Sequence, residues 1–269
     1  MQYEPIKKSL GTLFTRSVIL RKSFFLLLDL LLLRTWHVKK ALRKIASGLP
    51  ENSKVLDAGC GFGQYTWGMS SLRKSWEIKA VDINKEQIED CSNFIKKTNR
   101  QNRVKFETAD LTMLGERSIY DLVLTVDVME HIEQDEVVFA NFYNSLKDNG
   151  ILMISTPSDQ GGSDVHHHND HSFIDEHVRD GYSKADMEKK LRTAGFRAIE
   201  LLYTYGTAGT ISWNLSMKYP IKMINRSYLF FVLLPFYYLV FFPFCLILNF
   251  IDLYSLNEKG TGLLVIANK

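Results

Sequence analysis

The chain has 269 residues, 46% of them hydrophobic, a net charge of +3 and three cysteines. That length and apolar content allow one α/β domain with additions, and a net charge this small gives no overall demand for nucleic acid. Cys60, Cys91 and Cys245 lack CxxC spacing, so neither a zinc site nor a disulfide framework is expected and a reducing compartment fits.

The charge is unevenly spread. Residues 1–45 hold ten basic side chains, from Lys7 to Lys44, against Glu4 and Asp29, and the remainder is net acidic. Such asymmetry points to an anionic partner for the N-terminus. Within it, Ser17–Ile45 reads as one or two helices with leucines and phenylalanines among basic residues. The apolar run Phe24–Leu33 contains Asp29 and falls short of the ~20 residues a membrane span needs. Two readings stand, a helix lying in a membrane interface and a helix docked on the protein's own core.

From Lys54 onward, apolar runs alternate with helical periods. Strands are expected at 54–59, 76–82, 104–109, 120–127 and 150–156, and helices near 64–73, 85–98, 134–147 and 184–194, with Ser183 as an N-cap. This order predicts a parallel sheet with helices on both faces. Ligands then bind at the carboxyl ends of the strands, where the strand order reverses. The first strand runs into Asp57-Ala58-Gly59-Cys60-Gly61-Phe62-Gly63, a turn whose glycines let backbone approach a ligand closely. The second ends in Asp82-Ile83, roughly twenty residues on, where an acid can accept from ribose hydroxyls. The third leads to Asp110-Leu111, and the fourth opens into Asp127-Val128-Met129-Glu130-His131, with Glu130 and His131 expected to start the next helix.

The third glycine comes one residue earlier than in the dinucleotide fingerprint G-x-G-x-x-G, which opposes a nicotinamide-dependent oxidoreductase. Asp57-x-Gly59-x-Gly61-x-Gly63 instead resembles motif I of the class I S-adenosylmethionine (SAM) dependent methyltransferases, and the resemblance covers roughly residues 50–206 and resumes at 260. It implies a Rossmann-like, doubly wound, seven-stranded sheet with an antiparallel last strand. It further implies that Asp57, Gly59, Gly61 and Gly63 cradle SAM and that Asp82 grips its ribose while Ile83 packs on the adenine. Asp110 would accept from the adenine amino group beside the backbone of Leu111, and Asp127 would complete the site. The strand-four segment is similar to that of the quinone-methylating type. For Asp57, Asp82 and Asp110 the alternative is helix capping at strand–helix junctions.

The long connection Ser158–Tyr182 carries His166, His167, His168, His171 and His177, and a loop of that length is usually functional or a lid. No acid or cysteine partners stand at ligand spacing, so no metal is expected. An imidazole, ordinarily titrating near about 6.5, suits proton removal; His131, His166 and His171 are the candidate bases, with packing or lid roles as alternatives.

After strand six the family would turn at once into strand seven, yet residues 207–259 intervene before Gly262–Asn268. Tyr228–Ile251 contains no charge and is long enough to span a bilayer. A single crossing would leave the last strand on the wrong side, and two crossings need about 40 apolar residues, whereas Lys218, Lys222 and Arg226 stand in the preceding stretch. Pro235 and Pro243 are expected to break the helix. A broken helix in one leaflet, with basic residues toward anionic headgroups, meets these constraints; a substrate-cavity lid or dimer interface is the alternative. The expected organisation is a basic helical segment 1–45, a SAM-binding core 46–206, a membrane-associating insertion 207–259 and a last core strand 260–269. The expected function is SAM-dependent methyl transfer to a lipophilic acceptor, oxygen favoured over carbon or nitrogen, at the cytoplasmic face of a membrane and without nucleic acid. A non-catalytic SAM-binding scaffold is the rival. Oligomeric state is not legible.

Overall fold

The computed structural model describes residues 17–161, 178–227 and 230–269. Strands β1 (Lys54–Ala58), β2 (Glu77–Asp82), β3 (Val104–Thr108), β4 (Tyr120–Val126), β5 (Leu146–Pro157), β6 (Ala198–Thr204) and β7 (Gly262–Asn268) form one sheet in the order β3-β2-β1-β4-β5-β7-β6. The pairs among β1 to β5 are parallel, while β7 runs antiparallel to both β5 and β6. The reversal of order between β1 and β4 opens a crevice at their carboxyl ends.

Alternation along the strands divides the core into two layers, because successive side chains point to opposite faces. Val55, Leu122, Leu124, Met153 and Leu264 pack on one face; Leu56, Val123, Leu152, Ile154, Leu263 and Val265 pack on the other. The second face is covered by α5 (Asp135–Ser145) and α6 (Lys184–Ala194), through Phe139, Phe142 and Leu191. Ser183 caps α6, its hydroxyl accepting from the Asp186 amide at 3.0 Å.

The first face is covered by α3 (Gln64–Leu72), α4 (Lys85–Lys97) and the N-terminal segment, which forms α1 (Val18–Leu31) and α2 (Leu33–Gly48). Val38, Leu42 and Ile45 of α2 are buried against Val55, Leu122 and Leu264, so α2 is a core helix. Helix α1 divides its allegiance. Arg21 and Phe25 are buried, whereas Ile19, Leu26, Leu27 and Leu30 are exposed on one side, the spacing of a single helical stripe.

Strand β5 begins at Leu146 rather than near Gly150. Its polar start hides the alternation, but Tyr120 pairs with Leu146 across a register shift, and the Lys147 ammonium is 2.8 Å from Asp121.

The insertion is a helical hairpin. Its outward limb is α7 (Thr207–Trp213), a π turn (Asn214–Lys218) and α8 (Tyr219–Arg226); its return limb is α9 (Phe230–Tyr254), 25 residues long. Contrary to the expected break, α9 continues through Pro235 and Pro243. Lateral bonds hold it there: the hydroxyls of Tyr237 and Tyr238 donate to the carbonyls of Leu215 and Ser216, each at 2.8 Å. Those acceptors lie in the π turn, where altered backbone pairing accompanies a functional or strained turn.

Candidate cofactor cleft

Each strand that meets the crevice ends in one of the residues singled out above. Gly59, Gly61 and Gly63 all have positive φ, between 50° and 79°. The loop is pinned from below, with the amides of Gly59 and Cys60 donating to the Val81 carbonyl at 2.8 and 2.9 Å. A Cβ on Gly59 would lie 2.2 Å from a methyl of Val128, so this glycine also brings the β4 turn against the loop. Gly63 is the N-cap of α3 and offers no side chain, leaving that helix's first amides for another acceptor.

Asp82 accepts from the Gly61 amide at 2.8 Å through one oxygen and from the Asn84 amide at 2.9 Å through the other. One bond per oxygen leaves each a further lone pair. Ile83, next to that acid, and Met113, in the turn that follows β3, are apolar and 75% and 81% exposed and present the kind of surface a flat base covers. Asp110 caps the 3-10 turn Leu111–Met113, accepting from the Thr112 amide at 2.9 Å and the Thr112 hydroxyl at 2.8 Å; the capping alternative therefore describes part of its role. Leu111 is buried beneath it.

Asp57 is only 2% exposed and takes the hydroxyl of Thr66. It underlies the glycine loop instead of facing the crevice. Burial, opposed by the Thr66 bond and reinforced by Asp82, pushes its carboxyl up to about 7. A carboxyl whose folded value exceeds its unfolded value of ~4 contributes stability that is full below pH ~4 and lost as pH rises to about 7. Asp57→Asn is therefore expected to flatten the pH dependence of stability between those limits and to raise stability at pH 8 by on the order of a few kcal/mol. Urea melts at pH 5 and pH 8 check this; an unchanged slope would contradict it.

Glu130 and His131 do not open a helix as expected. They sit in a 3-10 turn, Met129–His131, and α5 starts only at Asp135. The tight turn follows from Asp127, whose φ is 52° and whose amide donates to the Ser155 carbonyl at 2.8 Å. Glu130 is buried and accepts from the Thr156 hydroxyl at 3.1 Å; burial holds its carboxyl above the ordinary range. His131 is partly exposed, its amide bonded to Val128 at 3.0 Å. The connection that carries the other histidines starts beside β5 and returns at Val178, whose amide donates to the Glu130 carbonyl at 3.1 Å. His166, His167, His168, His171 and His177 themselves lie outside the described residues. Among the described residues no three His, Cys, Asp or Glu side chains gather where a metal ion could bind.

The N-terminal helices contribute what sequence reasoning missed. Arg21 donates to the Phe62 carbonyl, inside the glycine loop, at 2.8 Å and to Asp90 at 2.6 Å. Asp29 takes the side-chain amide of Gln64, the first residue of α3, at 2.8 Å and pairs with Lys39. Arg34 forms an ion pair with Asp127 at the end of β4, while its Nε is buried with no hydrogen-bond partner. No spacing marks Arg34 in sequence, since its place in the crevice depends on how α2 docks.

A methyltransferase-domain family model matches residues 49–199, more than half of the chain. The chain belongs to the class I SAM-dependent methyltransferases. The chain is 30% identical to the ubiquinone biosynthesis O-methyltransferase of Rickettsia canadensis over 119 residues, 43% of this chain and 48% of that protein. It is also 30% identical to the enzyme of that name from Pelagibacter ubique over 106 residues, 39% of this chain and 42% of that one. It thus spans about half the length of the curated relatives it matches. Among solved structures, a putative sarcosine dimethylglycine methyltransferase from Galdieria sulphuraria superposes with a TM-score of 0.60 at 16% identity, covering 88% of this chain and 84% of that one. The phosphoethanolamine N-methyltransferase 2 of Haemonchus contortus in complex with SAM gives 0.57 at 18% identity, covering 82% and 49%. These likenesses establish the fold.

The crevice fits the family's cofactor. The open glycine loop, the uncapped start of α3, the spare lone pairs of Asp82, the exposed Ile83 and Met113 and the unpartnered Arg34 Nε answer, in turn, to a close-packed backbone, a carboxylate, a ribose, a base and an anion.

Proposed function

We propose that this protein transfers the methyl group of SAM to a lipophilic acceptor at a membrane surface. The observation that carries this reading is α9. It is inserted between two strands of a methyltransferase sheet, and in its most apolar stretch only 6% of the residues are buried. Such exposure weighs against a cavity lid, and contiguous apolar surface of this kind marks a membrane or protein partner. The exposed stripe of α1 adds a second apolar element. Because β6 and β7 hold both ends of the hairpin, its base stays on the side of the core. Lys218, Lys222 and Arg226 on the outward limb favour a hairpin seated in one leaflet of the cytoplasmic face over one that crosses it.

SAM supplies an electrophilic methyl on its sulfonium, so the chain's own task is alignment, exclusion of water and, for a hydroxyl acceptor, proton removal. Asp82 would hold the ribose, Ile83 the adenine, and Asp110 with the Leu111 backbone the base edge. Arg34 would meet the cofactor's carboxylate, with Asp57 bracing the glycine loop and Asp127 bracing Arg34. His131, His166 or His171 would take the proton. Oxygen is favoured as acceptor atom by the names of the relatives, ahead of a quinone-type carbon or a nitrogen.

Incubating the purified protein and methyl-labelled SAM with a total lipid extract is expected to give a labelled lipid-soluble product. Singly replacing His131, His166, His167, His168, His171 and His177 should identify one variant whose kcat falls by roughly 10²–10⁴ with SAM affinity retained. Failure to bind SAM, or label in water-soluble acceptors alone, would overturn the reading.

A further inference from the structure

The hairpin base is joined to the cofactor crevice by a short chain of buried polar contacts. Asp252, near the end of α9, is fully buried. Its carboxylate accepts from the amides of Tyr205, Gly206 and Gly209 at 3.2, 2.7 and 3.2 Å, and from the Asn257 side chain at 3.3 Å. Helix α7 has no cap of its own, because its N-cap is Gly206, so the return limb caps the outward limb in its place. Gly209 makes the approach possible: a Cβ there would lie 2.7 Å from Asp252 and 2.7 Å from Leu33 of α2.

Further bonds run from this base to α2, among them one from the Lys40 ammonium to the Leu253 carbonyl at 2.6 Å. His37 Nε2 is 2.8 Å from the Asp252 carboxylate; an ionised carboxylate only accepts, so that nitrogen carries the hydrogen. The hydroxyl of Tyr205 accepts from the Arg34 amide at 3.0 Å. Helix α2 also lacks a side-chain cap at Leu32, so Tyr205 satisfies one of its orphan amides. Arg34 and His37 stand three apart, on one side of the first turn of α2. Both are held from the hairpin base, and the Arg34 guanidinium meets Asp127 at the carboxyl end of β4.

We propose that His37 and Asp252 are positioning residues for the cofactor cleft, through which the base of the apolar hairpin sets the place of Arg34 beside Asp127. The inference rests on the reading of the cleft as a SAM site. It gives the insertion a role in the core in addition to any contact with lipid.

The test is a double-mutant cycle read by calorimetry of SAM binding to the full chain, with thermal melts as a check on folding. Asp252→Asn should weaken SAM binding by roughly tenfold or more, and Arg34→Gln by at least as much. The double variant should bind no more weakly than Arg34→Gln alone, since Asp252 acts through that residue. His37→Leu, which is milder, should reproduce the loss, and His37→Gln, whose amide can still donate to Asp252, should restore most of the affinity. Additive losses, or a folded His37→Leu protein with wild-type SAM affinity, would overturn the proposal. Amide hydrogen exchange supplies a readout without cofactor. His37→Leu should speed exchange at residues 127–131 as well as in the first turn of α2, and unchanged protection at 127–131 would also overturn it. A wild type that binds no SAM would instead defeat the reading of the cleft, leaving the exchange result to decide this one.

Discussion

Asp82→Ala is expected to bind SAM about ten to a hundred times more weakly than the wild type. On the proposed reading the carboxylate accepts from the ribose hydroxyls, and losing that charge-assisted contact costs about 1.5–3 kcal/mol in all. The same side chain holds the Gly61 amide at 2.8 Å, so its loss also loosens the loop that cradles the ligand. Asp82→Asn separates the two contributions. Its carbonyl can still accept from one amide while its NH₂ cannot accept from a hydroxyl, so it should recover the melting temperature more fully than the affinity. Calorimetry with SAM and its demethylated product measures both variants. An Asp82→Ala protein that binds SAM as tightly as wild type would remove this acid from the site.

The second large effect concerns α9. Phe236→Glu, Leu239→Glu and Ile247→Glu combined should abolish binding to anionic vesicles while leaving the methyltransferase core folded. All three side chains are well exposed, with Leu239 at 76%, so their replacement removes little from the protein's own packing. Each apolar side chain of this size that enters a bilayer contributes about 1.5–3 kcal/mol, and each new carboxylate opposes entry, so the combined loss should exceed a thousandfold in partitioning. Binding by the wild type should be only partly reversed by salt, because screening weakens the attraction of basic residues to headgroups and not apolar insertion. Vesicle flotation measures both. Retained flotation in the triple variant would assign membrane contact to α1 instead of α9. A cysteine at Ser227 near the hairpin tip and another at Ser255 at its base distinguish a seated hairpin from a crossing one, since an impermeant label should reach both from one side only.

The central sheet was legible because its signals are local. A glycine loop after an apolar run, and an acid closing each of three strands, follow from the backbone conformations and strand periods that those residues favour, and neighbouring residues suffice to read them. Helix α6 and its Ser183 cap are legible for the same reason. The start of β5 was not, because Lys147, Asp148 and Asn149 are polar and lie in the register shift between the Tyr120–Leu146 and Leu122–Ile151 pairs.

Tertiary structure decided the remainder. Pro235 and Pro243 argue locally for a break, but hydrogen bonds from Tyr237 and Tyr238 across the hairpin outweigh the one bond each proline forfeits. Glu130 and His131 have helix-start chemistry, yet the positive φ of Asp127 and its bond to Ser155 leave room only for a 3-10 turn before α5. Asp57 reads as a ligand-facing acid and is carried under the loop by its strand, where burial raises its titration to about 7. Arg34 is the clearest case. Its neighbours in sequence are leucines and basic residues of a segment that reads as interfacial, whereas its guanidinium meets Asp127 because Val38, Leu42 and Ile45 are buried on the sheet and its amide is bonded to the Tyr205 hydroxyl. Contacts between residues so far apart in the chain leave no local period, so only the folded sheet and the helices packed on it reveal them.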